Sequence, residues 1–568
     1  MKNRRKRDVV SWSRFFWCTL FTVFSCVLLS ASLFVSTFRI FFGETFRPVL
    51  ASTWRTPAVE AVAAEYLVSS AAIPVYETIM FPDQILIFLK YPSPARLFTK
   101  EDLHCVYSSS NCSSSQLKQP PSRVDMKDLE VQIVRCPVAP RGFTVSLATK
   151  PNSHIADVGP AHKWDLLVYE ALIDCDGTTI VFVKGLNIRP EKLSNASRYE
   201  CVYGWDFTKP KLLLRSEGVS VAQEIVRCKT PMSLLNGQQR VNNNSIKVSV
   251  RVKGNGDSGT LPSIARPRMI GRACPHPDSA RKEHEICVCT MLRNGARFLK
   301  EWVMYHGRIG VQRWFIYDNN SEDEINDVID ELSKSNHRIT RHVWPWVKTQ
   351  EAGFAHCAIR ARELCEWVGF IDVDEYFHLP TPDLPTIQDV IRNQTATTSF
   401  NVGELRGSCH SFGPSDLTRI PPEGVTVGYT CRLQRPERHK SIVKPEAMNT
   451  SLINIVHHFH LSEGYVSLNV DKELMVVNHY KYQVWEVFRE KFYRRVATYV
   501  VDWQNEENES SKDRVPGLGT RAVEPPDWAG RFCEVRDTGL RDRVMEMFSD
   551  AKTHRLPWEE EEEQAKMS

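Results

Sequence analysis

Apolar residues follow two textures along this chain. From Phe81 to Gly254 they fall in short β-branched runs: Ile85 to Leu89, Leu129 to Val134, Thr144 to Leu147, Leu166 to Tyr169, Thr179 to Val183 and Ile246 to Val252. Pro, Gly, Ser and Asn separate the runs, which predicts an all-β, sandwich-like region over 81–254. From Glu285 the texture alternates between short strands and helical spacing. Ile286 to Met291 reads as a strand, and Arg297 to Gly307 as a helix with Phe298, Leu299, Trp302, Val303 and Tyr305 on one face. A strand at Trp314 to Tyr317 follows, then a capping box Ser321-Glu322-Asp323-Glu324 opening a helix with Ile325, Val328, Ile329 and Leu332 inward. Ile339 to Val343, a helix over Ala352 to Cys365, an apolar strand ending in Asp372-Val373-Asp374, a helix over Leu384 to Asn393 and a strand over Thr398 to Leu405 complete the pattern. This predicts an α/β domain over 285–558.

The β region contains a repeat. Cys105-Val106-Tyr107 recurs as Cys201-Val202-Tyr203, and Ile133-Val134-Arg135-Cys136 recurs as Ile225-Val226-Arg227-Cys228. Order is kept in both copies, so Cys105 is expected to bond Cys136 and Cys201 to bond Cys228. Trp164, Tyr199, Tyr203 and Trp205 offer rings of the kind that stack on sugars, although sandwich aromatics also serve as core. Pro and Gly make 255–284 a linker.

A third pattern lies at the start. The 24 residues Phe15 to Phe38 carry no charge and follow Lys2, Arg4, Arg5, Lys6, Arg7 and Arg14, which predicts a single transmembrane signal anchor over 15–38 behind a cytosolic tail, 1–14. The topology is type II, with 39–80 as a stem. Sixteen cysteines, two of them in the span, with no Cys-x-x-Cys pair, favour disulfides. Sequons stand at Asn111, Asn195, Asn243, Asn319, Asn393, Asn449 and Asn508. A luminal, Golgi-resident protein is expected. The balance of 72 basic against 68 acidic residues gives no electrostatic case for nucleic acid, and 559–568 is a solvated acidic tail.

Chemistry concentrates at three strand tips: Thr290 to Asn294, Asp318-Asn319, and Asp372-Val373-Asp374. In open α/β sheets such tips share a ligand crevice. Strand alternation would turn Asp372 and Asp374 to one side, suited to Mg²⁺ or Mn²⁺ carrying a diphosphate. An isolated Asp-x-Asp more often just ends a strand. His457, His458, His460 and His479 are the late histidines that are candidates for a third metal ligand.

Arg293-Asn294, Glu301-Trp302, Tyr317-Asp318-Asn319 with Ser321, and Phe370-Ile371-Asp372-Val373-Asp374-Glu375 resemble the motifs of glycosyltransferase family 92. With the β region and anchor, the chain is most similar to plant members that elongate β-1,4-galactan. The resemblance implies a GT-A fold, Mn²⁺, UDP-galactose as donor, a β-1,4-galactan acceptor and inversion at the anomeric carbon. It makes Asp372, Asp374 and His479 the metal ligands, the last through Asn478-His479-Tyr480. Thr290, Arg293, Asn294 and Asp318 would hold uridine and ribose. Gln350 and His356 would reach the sugar or phosphates, or would serve as ordinary helix-capping residues. Of Asp416, Glu437, Asp471 and Glu473, only Asp416 falls in the expected acceptor loop, so it is the candidate base. Another acceptor such as an N-glycan, and an inert membrane-tethered glycan-binding protein, remain as alternatives. A homodimer is left open.

Overall fold

The computed structural model describes residues 73–559, apart from 91–96, 110–115, 129–130, 151–154, 158, 187, 190–191, 238–245, 255–258, 270–281, 456 and 500–522. The cytosolic tail, the span at 15–38, most of the stem and the acidic tail after 559 lie outside these residues. Among those described, no helix is long and apolar enough to cross a membrane. All of them belong to one unit, Ala72–Ser568.

The β region is two copies of one sandwich. In the first, β1 (Val75–Met80), β2 (Gln84–Lys90), β3 (Leu103–Ser109), β4 (Gln116–Gln119), β5 (Arg123–Asp128), β6 (Val131–Pro137) and β7 (Phe143–Thr149) form two sheets, β5-β6-β2-β1 and β4-β3-β7, with β8 (Ala161–Lys163) added beside β1. The second copy has β9 (Leu167–Ile173), β10 (Thr178–Lys184), β11 (Tyr199–Gly204), β12 (Leu214–Ala222), β13 (Ile225–Lys229) and β14 (Lys247–Val252) in the same order, β12-β13-β10-β9 and β12-β11-β14. One long strand, β12, does the work of β4 and β5. Both expected disulfides are present: Cys105–Cys136 joins β3 to β6, and Cys201–Cys228 joins β11 to β13. Strand β1 lies within the stretch read as stem, so the sheet starts earlier than Phe81. The first part of the expected linker also belongs to this region, because Arg268–Met269 pairs with β9.

The runs Ile85 to Leu89 and Thr179 to Val183 are apolar at every position because both their faces are covered. Ile85, Ile87 and Leu89 fill the first sandwich, whereas Leu86 and Phe88 turn out to meet the α/β domain. Val181 and Val183 fill the second, and Ile180 and Phe182 turn out likewise. The outward residues join a core with Phe315, Tyr317, Trp344 and Trp346. The β region is therefore part of the same hydrophobic body as the α/β domain.

Among the described residues the α/β domain has a nine-stranded sheet. Ile339–Val343, Arg313–Asp318, His284–Leu292 and Cys365–Phe370 are parallel neighbours. Antiparallel Arg438–Val443 then leads to Asn401–Ser411, Val476–His479 and Glu375–His378. The helices Ala296–Arg308 and Ile325–Lys334 cover one face, and Gln350–Ala361 lies on the face toward the β region. The expected capping box does not form. The second helix starts at Ile325 without a side-chain cap, and Ser321 instead accepts the Asn294 N–H through Oγ at 3.0 Å.

Candidate active site

The site is built where the Cys365–Phe370 strand ends. The chain leaves the sheet at Ile371, and Asp372 to Asp374 form a turn before Glu375 re-enters a strand. Strand alternation therefore does not aim the two carboxylates, contrary to expectation; the turn does. It is closed by the Asp372 N–H donating to the Glu375 carboxylate and the Glu375 N–H donating to the Asp372 carbonyl, both at 3.0 Å.

The turn meets the far half of the sheet. His479 pairs in register with Glu375 on one side and Ser411 on the other. Its Nε2 is 3.5 Å from Asp374 Oδ2, and its Nδ1 is 3.6 Å from Glu375 Oε1. Asp372 Oδ2 faces Lys440 Nζ and His457 Nε2, each at 3.6 Å, and its Oδ1 lies 3.4 Å from Gln350 Nε2. Lys440 also pairs with Glu375 at 2.7 Å, and Lys491 pairs with Asp374. Burial by itself would raise the Asp374 carboxyl, but Lys491 and His479 reverse this and hold it well below the usual range. Glu375 is likewise pressed upward by burial and pulled down to about 2 by Lys440 and the two histidines.

These groups fit a divalent cation. His479 Nε2 is shielded from solvent and has no hydrogen-bond partner among the described residues, and it faces a carboxylate that is ionised. Carboxylate oxygens with one imidazole are a donor set for Mn²⁺ or Mg²⁺. The ammonium groups of Lys440 and Lys491 supply positive charge beside Glu375 and Asp374. Cys409, a free buried thiol, comes close to Glu375 and His479, their ligand atoms lying within 4.8 Å of one another.

Other expected residues divide. Gln350 opens its helix and reaches Asp372. Arg293 lies 3.8 Å from Glu322, and the Asn294 side chain accepts the Glu322 N–H at 2.8 Å, so both belong to laced loops at the strand tips. Thr290 is fully buried, its hydroxyl without a hydrogen-bond partner among the described residues. Asp318 is fully buried and already engaged: Oδ1 accepts the Ser321 N–H at 2.8 Å and Oδ2 accepts Arg341 Nε at 2.9 Å. These bonds shape the loop at the strand tip. His356 is also structural, hydrogen-bonded to the Tyr317 hydroxyl at 2.7 Å among Phe182, His342 and Trp344.

Asp416 is exposed in a left-handed turn at φ +63°, its N–H bound to the Ala529 carbonyl at 2.8 Å, and no contact ties its side chain to the cluster. Glu437 comes there instead. Its Oε2 accepts the Ser411 hydroxyl at 2.6 Å and Lys481 Nζ at 2.8 Å, and Ser411 is the strand partner of His479. Burial raises the Glu437 carboxyl, but these bonds and His479 lower it overall, so it is ionised. Trp164, Tyr199 and Tyr203 are buried and offer no face to a sugar; of the four aromatics named, Trp205 is exposed.

Lys440 and Cys409 were not legible beforehand. Lys440 lies two positions before Ile442 on a buried strand, a faint sign of an inward cation, whereas Cys409 gave no sign. The late histidines were visible as a group, but which of them meets which carboxylate depends on strand pairing.

Residues 282–515 match the family model described as glycosyltransferase family 92. A glycosyltransferase family 92 protein of Ricinus communis is 62% identical over 98% of this chain and 100% of its own length. One from Oryza sativa subsp. japonica is 50% identical over 95% of this chain and 93% of its own. Among solved structures, glucosyl-3-phosphoglycerate synthase from Mycobacterium tuberculosis, in complex with Mn²⁺, uridine diphosphate and glucosyl-3-phosphoglycerate, aligns over 38% of this chain and 80% of that one, with 12% identity and a TM-score of 0.21.

Proposed function

This chain belongs to glycosyltransferase family 92, and we propose that it is an inverting, metal-dependent GT-A enzyme moving galactose from UDP-galactose to β-1,4-galactan. Glycosyl transfer follows from the family; donor, acceptor, metal and stereochemistry are our reading. The observation that carries it is the meeting of Asp374 with His479, in the same turn as Asp372, at the tip of a parallel sheet, where nucleotide ligands collect.

Asp372, Asp374 and His479 would hold Mn²⁺, which when bound neutralises diphosphate charge and eases departure of UDP. Gln350 holds Asp372 in place, and Lys440 fixes Glu375, whose carboxylate closes the turn. An inverting transfer needs a carboxylate to take the proton of the acceptor hydroxyl, and Glu437 replaces Asp416 in that role. Glu437 is ionised, borders His479 through Ser411, and is exposed to solvent.

The uncharged stretch 15–38 behind a basic start, and the disulfides, favour a single-pass type II protein with its catalytic part in the Golgi lumen. The deciding experiment is transfer from UDP-galactose to galactan oligosaccharides, with and without Mn²⁺, beside an N-glycan acceptor. Product on galactan only with metal is expected; transfer to the N-glycan alone, or none to either, would replace this reading.

A further inference from the structure

We propose that the first β sandwich is a working part of the donor site, with Arg123 and Asp125 as positioning residues for nucleotide binding. This rests on the reading that the loops after His284–Leu292 and Arg313–Asp318 face the donor nucleotide.

Arg123 and Asp125 lie on β5, almost two hundred residues before those loops. Arg123 Nη1 donates to the Ser321 carbonyl at 2.7 Å and the Asp323 carbonyl at 3.3 Å, while its Nε binds Asp125 at 3.1 Å. Asp125 also holds Arg341 Nη2 at 2.9 Å, and Arg341 in turn holds Asp318, which receives the Ser321 N–H. Arg135, from the repeated Ile-Val-Arg-Cys motif, closes the network on Asp125 at 2.7 Å. Three guanidiniums therefore share two carboxylates, and the side chains of Asp125, Arg135 and Asp318 are all nearly inaccessible.

The gripped loop grips the next one. Ser321 Oγ accepts the Asn294 N–H at 3.0 Å, Asp323 accepts the Ala296 N–H at 2.8 Å, and Asn294 accepts the Glu322 N–H at 2.8 Å. Asn294 itself sits at φ +53°, a conformation that such local bonds must hold. A β-region arginine thus sets the backbone of both loops.

The second sandwich supplies an internal control. The arginine that matches Arg135, Arg227, is equally buried and binds Asp174 at 2.9 Å and the Thr450 carbonyl at 3.0 Å. Asp174 also meets Arg362 at the end of the Gln350–Ala361 helix. This clasp docks the second sandwich on the α/β domain without touching 292–296 or 318–323.

The test is titration of UDP with Mn²⁺ into the full chain in detergent, by calorimetry, alongside thermal unfolding. Arg123→Ala should raise the Kd for UDP about tenfold, the loss of roughly one charged hydrogen bond's worth of positioning, with Arg123→Lys recovering part of it. Arg227→Gln should lower the unfolding temperature at least as much while leaving the Kd unchanged. Unaltered UDP affinity in Arg123→Ala, or an equal loss in Arg227→Gln, overturns the positioning role while leaving the donor site standing. An unmodified chain that binds no UDP removes the donor-site reading and this inference together.

Discussion

Trp164 of the β region stacks on Trp346 of the α/β domain, with 5.4 Å between ring centroids and 13° between planes. Phe81 and Phe88 stack on the same indole. A core shared this way should melt as one body. Trp346→Ala is expected to cost about 3–5 kcal/mol, and the parent should give a single calorimetric transition across both regions. Two separated transitions in the parent would show that the shared core does not couple them.

At the proposed metal site, Asp374→Asn keeps the shape of the turn but removes the charge that His479 and Lys491 face. Initial rates should fall by about a hundredfold or more, and His479→Ala should raise the Mn²⁺ needed for half-maximal rate by roughly tenfold. Full activity in Asp374→Asn would remove the metal seat from this turn.

Between the two candidate bases the forecast is asymmetric. Glu437→Gln preserves an acceptor for Ser411 yet cannot take a proton, so kcat should drop by about two orders of magnitude or more. Asp416→Asn, exposed and apart from the cluster, should stay within about twofold of the parent. The reverse result would restore the acceptor-loop assignment.

Acid sensitivity has an identifiable source in Glu404. Burial would raise this carboxyl, but His458, Arg406 and Ser467 pull it down to about 2 from an ordinary 4.5. Its contribution is complete above about pH 4.5 and is lost as pH falls toward 2, amounting to about 3 kcal/mol. Glu404→Gln should be less stable than the parent at pH 7 and should converge with it on acidification, as read by denaturant unfolding at each pH.

The sequon at Asn319 should remain bare. Its amide nitrogen, the atom a glycan needs, donates to the Trp344 carbonyl at 2.8 Å and the Trp346 carbonyl at 2.9 Å. Glycopeptide mapping of secretory-expressed protein should find Asn319 unmodified, and a glycan there would show that this loop opens during folding.

Much of this architecture was legible because local pattern and fold agree. Periodicity located the strands and helices of the α/β domain, and the order of the Cys-Val-Tyr and Ile-Val-Arg-Cys motifs fixed two disulfides. The docking of the two regions was less readable, although an unbroken Ile85 to Leu89 in an antiparallel sheet already meant a covered outer face. Trp164 and Tyr203 looked like sugar platforms because composition does not say which face of a sandwich a ring occupies. The choice of base was left open for a related reason. Asp416 and Glu437 are close in sequence, and only the pairing of Ser411 with His479 decides which carboxylate comes near.

Cys287 and Cys289 stand two residues apart on one strand, bonded to Cys365 on the neighbouring strand and to Cys357 on the helix above. The strand that leads into Arg293 and Asn294 is thus sewn to both its lateral and its overlying support. Bacterial cytosol, which keeps thiols reduced, would deliver this enzyme with this strand and its Arg293–Asn294 tip unstitched. Recombinant material should therefore come from an oxidising secretory host, and inactivity of protein made otherwise would say nothing about its chemistry.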